Sequence, residues 1–168
     1  MVHFREAAAE DAGLISHIHA SSWRKTYRGL INDDYLARLP DEYWVPSMRS
    51  WLLSGRFEAI LLYDEKQPVG CACYGRGRDE DHSDWGEIVS IYLLPEYLGK
   101  GYGEQLLNEV MRRLREQGYA RVYLWMIRGN ERAAAFYARH GFKVTSDTVA
   151  YHIGGQDVAD VRYVHVNK

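Results

Sequence analysis

Apolar residues repeat with two different spacings along the chain, which predicts helices and strands in a mixed order. Within residues 104–116 they recur every three or four positions, as on a helix with one buried face. Residues 57–63, 69–75, 87–94 and 122–127 are instead short and almost continuously apolar, which favours buried strands. The pattern predicts an α/β chain of the α+β type, with a mixed and mostly antiparallel sheet of about six or seven strands flanked by about four helices.

Turn residues separate these elements without leaving a linker between them. Gly55 and Gly118 follow predicted helices, where a left-handed residue commonly ends a helix. Gly154 and Gly155 stand between the last two apolar runs as a hairpin-like turn. No repeat or low-complexity tract interrupts the order, so we expect residues 1–168 to form a single domain.

Composition narrows the class of partner. The 168 residues are 46% hydrophobic with a formal net charge of −2, which gives no general attraction to nucleic acid or to an anionic membrane. No uninterrupted apolar stretch approaches membrane-spanning length. Cys71 and Cys73 are the only cysteines, too few for a disulfide framework. We therefore expect a cytoplasmic protein without nucleic-acid or membrane partners, and the composition is compatible with a homodimer.

The strongest signal for function is a glycine-rich turn between a predicted strand and a predicted helix. Glycines at alternate positions allow tight turning and close approach of a ligand to the backbone. The helix that starts near Glu104 adds free N–H groups and the positive end of its dipole, so the turn predicts an anion site suited to a pyrophosphate. The candidate donors are the backbone amides of Gly99, Lys100, Gly101, Tyr102, Gly103 and Glu104.

Two common phosphate-binding motifs do not fit this turn. A Walker A loop needs Ser or Thr after its Lys, whereas Lys100 precedes Gly101. A dinucleotide fingerprint needs G-x-G-x-x-G, and this run is G-x-G-x-G, deep in the chain. The turn instead resembles the acetyl-CoA loop of the GNAT acetyltransferase superfamily, Arg/Gln-x-x-Gly-x-Gly/Ala. Gly101 and Gly103 match that pattern, and Leu98 stands where the family has Arg or Gln.

A second motif strengthens the resemblance to the GNAT superfamily. Asn130, Tyr137 and the Gly141-Phe142 ending are spaced as in the family's second CoA-contacting motif. The resemblance implies splayed central strands and acetyl-CoA as acyl donor. It also implies cofactor contacts at Asn130, which is at the same time a good helix N-cap. Further cofactor contacts are implied along the strand end Ile91, Tyr92 and Leu93.

Two residues are candidates for acid–base chemistry. Transfer of an acetyl group to an amine requires the amine to lose a proton and benefits from an acid at the departing thiolate. Glu87 lies eleven positions before Leu98, an offset similar to that of the catalytic Glu in the histone-acetyltransferase branch, so it is the candidate base. A carboxylate at the start of a strand, paired with an Arg, would look the same in sequence. Tyr137 is the candidate acid, which the resemblance puts near the CoA sulfur.

The acceptor side is less defined by the sequence. Residues 23–39 lie where the family has its substrate-side helices, and Trp23, Tyr27, Tyr35 and Tyr151 are candidates to line that pocket or to belong to the core. No group of histidines and cysteines has metal-ligand spacing, so we expect no metal. The expected activity is acetylation of a primary amine of a small molecule, a polyamine-like or another amine, by direct attack. The alternatives are a protein or peptide N-acetyltransferase and a non-catalytic acyl-CoA-binding domain.

Overall fold

The computed structural model describes residues 1–167, and its elements follow the predicted mixed order. The strands are β1 (Val2–Glu6), β2 (Glu58–Asp64), β3 (Gln67–Arg76), β4 (Gly86–Leu93), β5 (Arg121–Ile127), β6 (Lys143–Ile153) and β7 (Gln156–Val166). The helices are α1 (Ala12–Thr26), α2 (Asp33–Arg38), α3 (Val45–Ser54), α4 (Tyr102–Glu116) and α5 (Glu131–Arg139). The expected fold class is confirmed, with seven strands and five α-helices in residues 1–167.

The strands form one sheet that is antiparallel except at its centre. Its order is β1-β2-β3-β4-β5-β7-β6, and among the strands of residues 1–167 only β4 and β5 pair in parallel. That contact consists of only two residue pairs, Gly86 with Val122 and Glu87 with Tyr123. Beyond these pairs the two strands separate, so the expected splay of the central strands is confirmed.

A bulge in β4 contributes to this separation. Tyr74 of β3 is opposite Ile88, whereas the next residue back, Cys73, is opposite Ser90. Val89 is therefore the extra residue of β4, and such an insertion bends the bulged strand and increases its twist. The bulge closely follows Glu87, the last residue of β4 that pairs with β5.

Helices cover both faces of the sheet. The apolar stripe of α4, which includes Leu106 and Leu114, is buried against β2–β5 on one face. On the other face α1 buries Ile15 and Ile18 against β2 and β3. Both faces of the central strands are thus removed from water, which accounts for their nearly continuous apolar sequence.

The ends of α1 and α3 are stabilised differently. The Asp11 side chain precedes α1 without capping it and accepts bonds from the Arg5 guanidinium at 2.7 Å and from the Ala8 N–H at 2.8 Å. Gly55 ends α3 with φ +68°, as expected of a left-handed C-terminal residue. Within residues 1–167, no helix is both long enough and apolar enough to cross a bilayer.

Candidate active site

The separation of β4 and β5 opens a cleft of about 980 Å³ at the centre of the sheet. From Ile88 to Leu93, the edge of β4 that faces β5 has no strand partner. Ile91, Tyr92 and Leu93 all line the cleft, together with Met126 of β5. The backbone N–H and C=O groups on this edge are therefore available to an extended ligand, as the edge of any sheet is available to another strand.

One end of the cleft has the properties of an anion site. Gly99 and Gly101 have φ of +76° and +84°, a region that residues with a Cβ rarely adopt, so glycine is needed at both positions. The first backbone bond of α4 runs from the Gln105 N–H to the Gly101 carbonyl at 3.3 Å. The amides before Gln105 point ahead of the helix without a partner in its backbone, and the helix dipole adds positive potential there.

The predicted turn residues divide into two groups. Gly99, Gly101, Gly103 and Glu104 line the cleft. The side chains of the other two point elsewhere: the Lys100 ammonium lies 5.3 Å from the centre of the Tyr97 ring, and the Tyr102 hydroxyl donates to Asp64. Only the backbone amides of Lys100 and Tyr102 are therefore candidates for contact with an anion.

A cation on α5 lies next to the glycine turn, where the Leu98 side chain has no charge to offer an anion. Arg132 lines the cleft, and its Nη2 is 3.6 Å from the position that a Cβ on Gly99 would occupy. Arg139, the last residue of α5, and His140, which directly follows it, line the same cleft. None of these three residues was predicted from the sequence, although Arg132 and Arg139 are seven positions apart and so lie on one face of the helix. Arg132 on α5 can therefore supply the positive charge that Leu98 does not supply to the turn.

We expect the Arg132→Met variant to bind acetyl-CoA about tenfold more weakly than the wild type, because a charged hydrogen bond to phosphate contributes about 1.5–3 kcal/mol, part of which other donors replace. Isothermal titration calorimetry measures the change, and its dependence on salt should decrease in the variant. Arg128→Met is the control, since Arg128 is exposed on the turn before α5 and does not line the cleft. Equal affinities for Arg132→Met and wild type would remove Arg132 from the anion site.

Asn130 combines the two roles that its position suggested. Its side-chain oxygen accepts a bond from the Ala133 N–H at 3.3 Å, so it caps α5 as predicted. The residue also lines the cleft. A contact of Asn130 with the cofactor stays a prediction.

Tyr137 is buried at the wall of the cleft. Its side chain is 7% exposed and contacts Phe136 and Phe142 edge-on, with ring centres 5.2 and 5.5 Å away. Burial raises the pKa of the phenol above its ordinary value of 10, and the nearby Tyr92 adds to the effect. The hydroxyl therefore keeps its proton at neutral pH, which is the state that a proton donor requires.

Glu87 lies in a different environment from the one that a free base needs. It is 1% exposed, and its carboxylate accepts bonds from the Arg78 guanidinium at 2.6 Å and from the Tyr123 hydroxyl at 3.1 Å. The Arg78 backbone N–H donates to the same carboxylate at 2.9 Å. The residue is at the closed end of the split, where β4 still pairs with β5, and it does not line the cleft. These contacts favour the ion-paired structural role over the catalytic one.

Two of the four acceptor-side candidates, Trp23 and Tyr27, contact the hydroxyl of Tyr92. The Trp23 indole N–H donates to this oxygen at 3.0 Å, and the Tyr27 and Tyr92 hydroxyls are 3.1 Å apart. Tyr27 lines the cleft beside Tyr92. Tyr151 is on the neighbouring hairpin and donates to Asp160, a residue that the sequence analysis did not select. Tyr35 instead packs against the hairpin turn at Gly154.

No group of three or more His, Cys, Asp or Glu side chains within residues 1–167 is arranged to hold a metal ion. Cys71 and Cys73 are free and buried, and burial raises the pKa of both thiols. Neither cysteine lines the cleft. The ionisable groups that the cleft does present are phenols, cations and the carboxylate of Glu104.

A split central sheet, an anion site at a helix N-terminus and a tyrosine between them define an acetyl-CoA-dependent transferase. Residues 16–142 match the model of the acetyltransferase (GNAT) family. The chain is 34% identical to the N-acetyltransferase YuaI of Bacillus subtilis over 162 residues, which cover 96% of this chain and 91% of the relative. It therefore belongs to the GNAT family and is an acetyl-CoA-dependent N-acetyltransferase.

Two further similarities concern proteins of Thermoplasma acidophilum. The chain is 23% identical to its spermidine N(1)-acetyltransferase over 148 residues, covering 85% of this chain and 89% of the relative. The crystal structure of the PaiA N-acetyltransferase in complex with coenzyme A has the same fold, with a TM-score of 0.79, 20% identity and 99% of each chain covered.

Proposed function

We propose that this enzyme acetylates the primary amine of a small, polyamine-like molecule. The observation that supports the proposal most directly is the unpaired edge of β4. This edge runs from the free amides of the Gly99–Gly103 turn to Tyr27 and Tyr92, which we call the phenol cluster. An extended donor along this edge would present its acetyl end next to Tyr27 and Tyr92. The resemblance to a spermidine N(1)-acetyltransferase supports an amine of this kind.

The residues of the cleft divide the reaction between them. Backbone amides of the turn and Arg132 bind the phosphates, and the edge of β4 orients the donor. An alkylamine with a pKa of about 10.4 requires about 4–5 kcal/mol to lose its proton at pH 7, so a neighbouring acceptor for that proton accelerates the reaction. The neutral nitrogen then attacks the thioester carbonyl, a C–N bond forms and the C–S bond breaks. Tyr137 gives its proton to the departing sulfur and regains one from the nitrogen.

The test is a thiol-release assay with acetyl-CoA and a set of acceptors. Spermidine, 1,4-diaminobutane and propylamine represent small amines, and a peptide with a free N-terminus represents the protein-acetylating alternative. We expect a small amine to give the highest kcat/KM, at least tenfold above the peptide. A preference for the peptide would overturn the small-amine acceptor. Binding of acetyl-CoA without thiol release for any acceptor would support a non-catalytic role instead.

A further inference from the structure

Asp160 is a half-buried carboxylate on the acceptor side of the sheet. It is opposite Ile127 of β5 in the β5–β7 register, and residues paired in this way share a face. Ile127 packs with Trp23 and Tyr27, so this face is the one that carries α1. The Tyr151 hydroxyl donates to the Asp160 carboxylate at 3.1 Å. The side chain therefore points toward the phenol cluster rather than toward α4 and α5.

Glu87 and Asp79, two other acidic residues near the split between β4 and β5, have cationic partners, whereas Asp160 has none within residues 1–167. Glu87 is paired with Arg78, and the Asp79 carboxylate lies 3.3 Å from the Arg162 guanidinium. Within residues 1–167 no Lys, Arg or His lies within ion-pair distance of Asp160, and the Tyr151 hydroxyl is its side-chain hydrogen-bond partner. A carboxylate partly removed from water without a counter-charge is unfavourable, and a cationic ligand would relieve that cost.

The charge of Asp160 reaches the phenols that line the cleft. Burial is the main reason that the pKa values of Tyr27 and Tyr92 are raised, and the Asp160 carboxylate raises both further. Both phenols line the cleft, whereas Asp160 does not, and their hydroxyls are 3.1 Å apart. The Asp160 carboxylate therefore adds negative charge behind two electron-rich rings, on the side of the cleft that the Lys25 ammonium also lines.

We propose that Asp160 determines the acceptor specificity of the enzyme by holding the ammonium group of an alkylamine next to Tyr27 and Tyr92. This inference rests on the proposed small-amine function and names the residue that recognises the amine. The carboxylate favours cationic acceptors over neutral or anionic molecules of the same size, because only a cation gains from its uncompensated charge. Asp160 is thus a positioning residue, since it acts on the amine across the two phenols.

Glu104, the carboxylate that lines the cleft, is at the wrong end to take this role. Glu104 is in the first turn of α4, its side chain is 63% exposed, and its carboxylate is 3.7 Å from the His140 ring. It belongs to the end where the turn amides and Arg132 favour an anion. Of the two carboxylates, only Asp160 is therefore on the side of the sheet that carries Tyr27.

Steady-state kinetics of the Asp160→Asn variant test this role. We expect the KM for propylamine to rise at least tenfold, with the KM for acetyl-CoA within twofold of the wild type and a smaller change in kcat. Asp157→Asn is the matched control: it removes the same charge from the same strand, but the Asp157 side chain is 91% exposed and pairs with His152. Equal amine KM values for Asp160→Asn and wild type would overturn the inference while leaving the acetyltransferase function intact.

A binding measurement keeps the inference testable if propylamine is not acetylated. The Trp23 indole N–H, which donates to Tyr92, gives an NMR signal that reports directly on the cluster. In the CoA-bound wild type we expect this signal to shift and saturate with propylammonium, but not with propanol, and the shift to be absent in Asp160→Asn. Saturation without turnover would support recognition of the ammonium group by Asp160 and show that propylamine itself is not the acceptor. No response in the wild type, or the same response in Asp160→Asn, would overturn the inference.

Discussion

The Tyr137→Phe enzyme is expected to turn over about 100-fold more slowly than the wild type, with acetyl-CoA affinity changed by less than threefold. The substitution removes one hydroxyl from the cleft wall and leaves the ring packed between Phe136 and Phe142. General acids in enzymes contribute about 10²–10⁴-fold, so loss of the proton donor should appear in kcat. Affinity should persist because the phosphate contacts are on the turn and at Arg132. Stopped-flow thiol release and calorimetry measure the two quantities separately.

A second tyrosine of the same core provides the control for Tyr137. Tyr163 of β7 is 8% exposed and belongs to the same apolar cluster, but it does not line the central cleft. Tyr163→Phe should therefore keep its kcat within about twofold of the wild type, since it removes the same atom from a similarly buried site without touching the reaction. If the two variants lose activity equally, the hydroxyl of Tyr137 has no chemical role.

The cofactor end of the site could be predicted because its signal is local. Glycines at alternate positions, a strand before them and a helix after them are adjacent in sequence, and the structure keeps them adjacent in space. The positive φ of Gly99 and Gly101 shows that the pattern reports a real backbone requirement. Asn130 was predictable as a cap for the same reason, since the bond it makes spans only three residues.

Asp160 and Arg132 could not be predicted because their positions depend on contacts between residues far apart in the chain. Asp160 is close to Tyr27 only because β7 is inserted next to β5, a pairing that no short sequence window contains. Arg132 could be found only by knowing that the start of α5 faces the turn at Gly99. In both cases the residue type was visible, but its electrostatic surroundings are a property of the tertiary fold.

For Glu87, a local sequence pattern suggested a role that its surroundings in the fold disfavour. Its offset from the glycine turn matches a catalytic residue of relatives, yet its role depends on whether a cation neutralises it. Here Arg78, nine residues earlier, folds back across the β3–β4 loop and forms charged bonds to both carboxylate oxygens. The position of Glu87 along its strand gives no information about an ion-pair partner, such as Arg78, in a neighbouring loop.

Replacing Glu87 with Gln should therefore destabilise the fold more than it slows the chemistry. We expect the free energy of unfolding to fall by about 2–3 kcal/mol, because the amide cannot balance the Arg78 charge. The loss is smaller than the 3–5 kcal/mol of a fully buried pair, since the Arg78 side chain is 43% exposed and water compensates in part. Urea denaturation measures the stability, and kcat at 10 °C, where the variant stays folded, should remain within about fivefold of the wild type.

A double-mutant cycle with Arg78→Met separates structural pairing from catalysis. If Glu87 and Arg78 act as an ion pair, the Arg78→Met variant leaves a carboxylate buried without a cation, and the double variant should be more stable than the sum of the two single losses predicts, by about 1–3 kcal/mol. A catalytic base would give a different result: Glu87→Gln would lower kcat at least 100-fold at unchanged stability, and Arg78→Met would keep its activity. The bonds from Arg78 and Tyr123 favour the first outcome. The Glu87 carboxylate already accepts four side-chain contacts and one backbone N–H, so its oxygens have no free position for an amine.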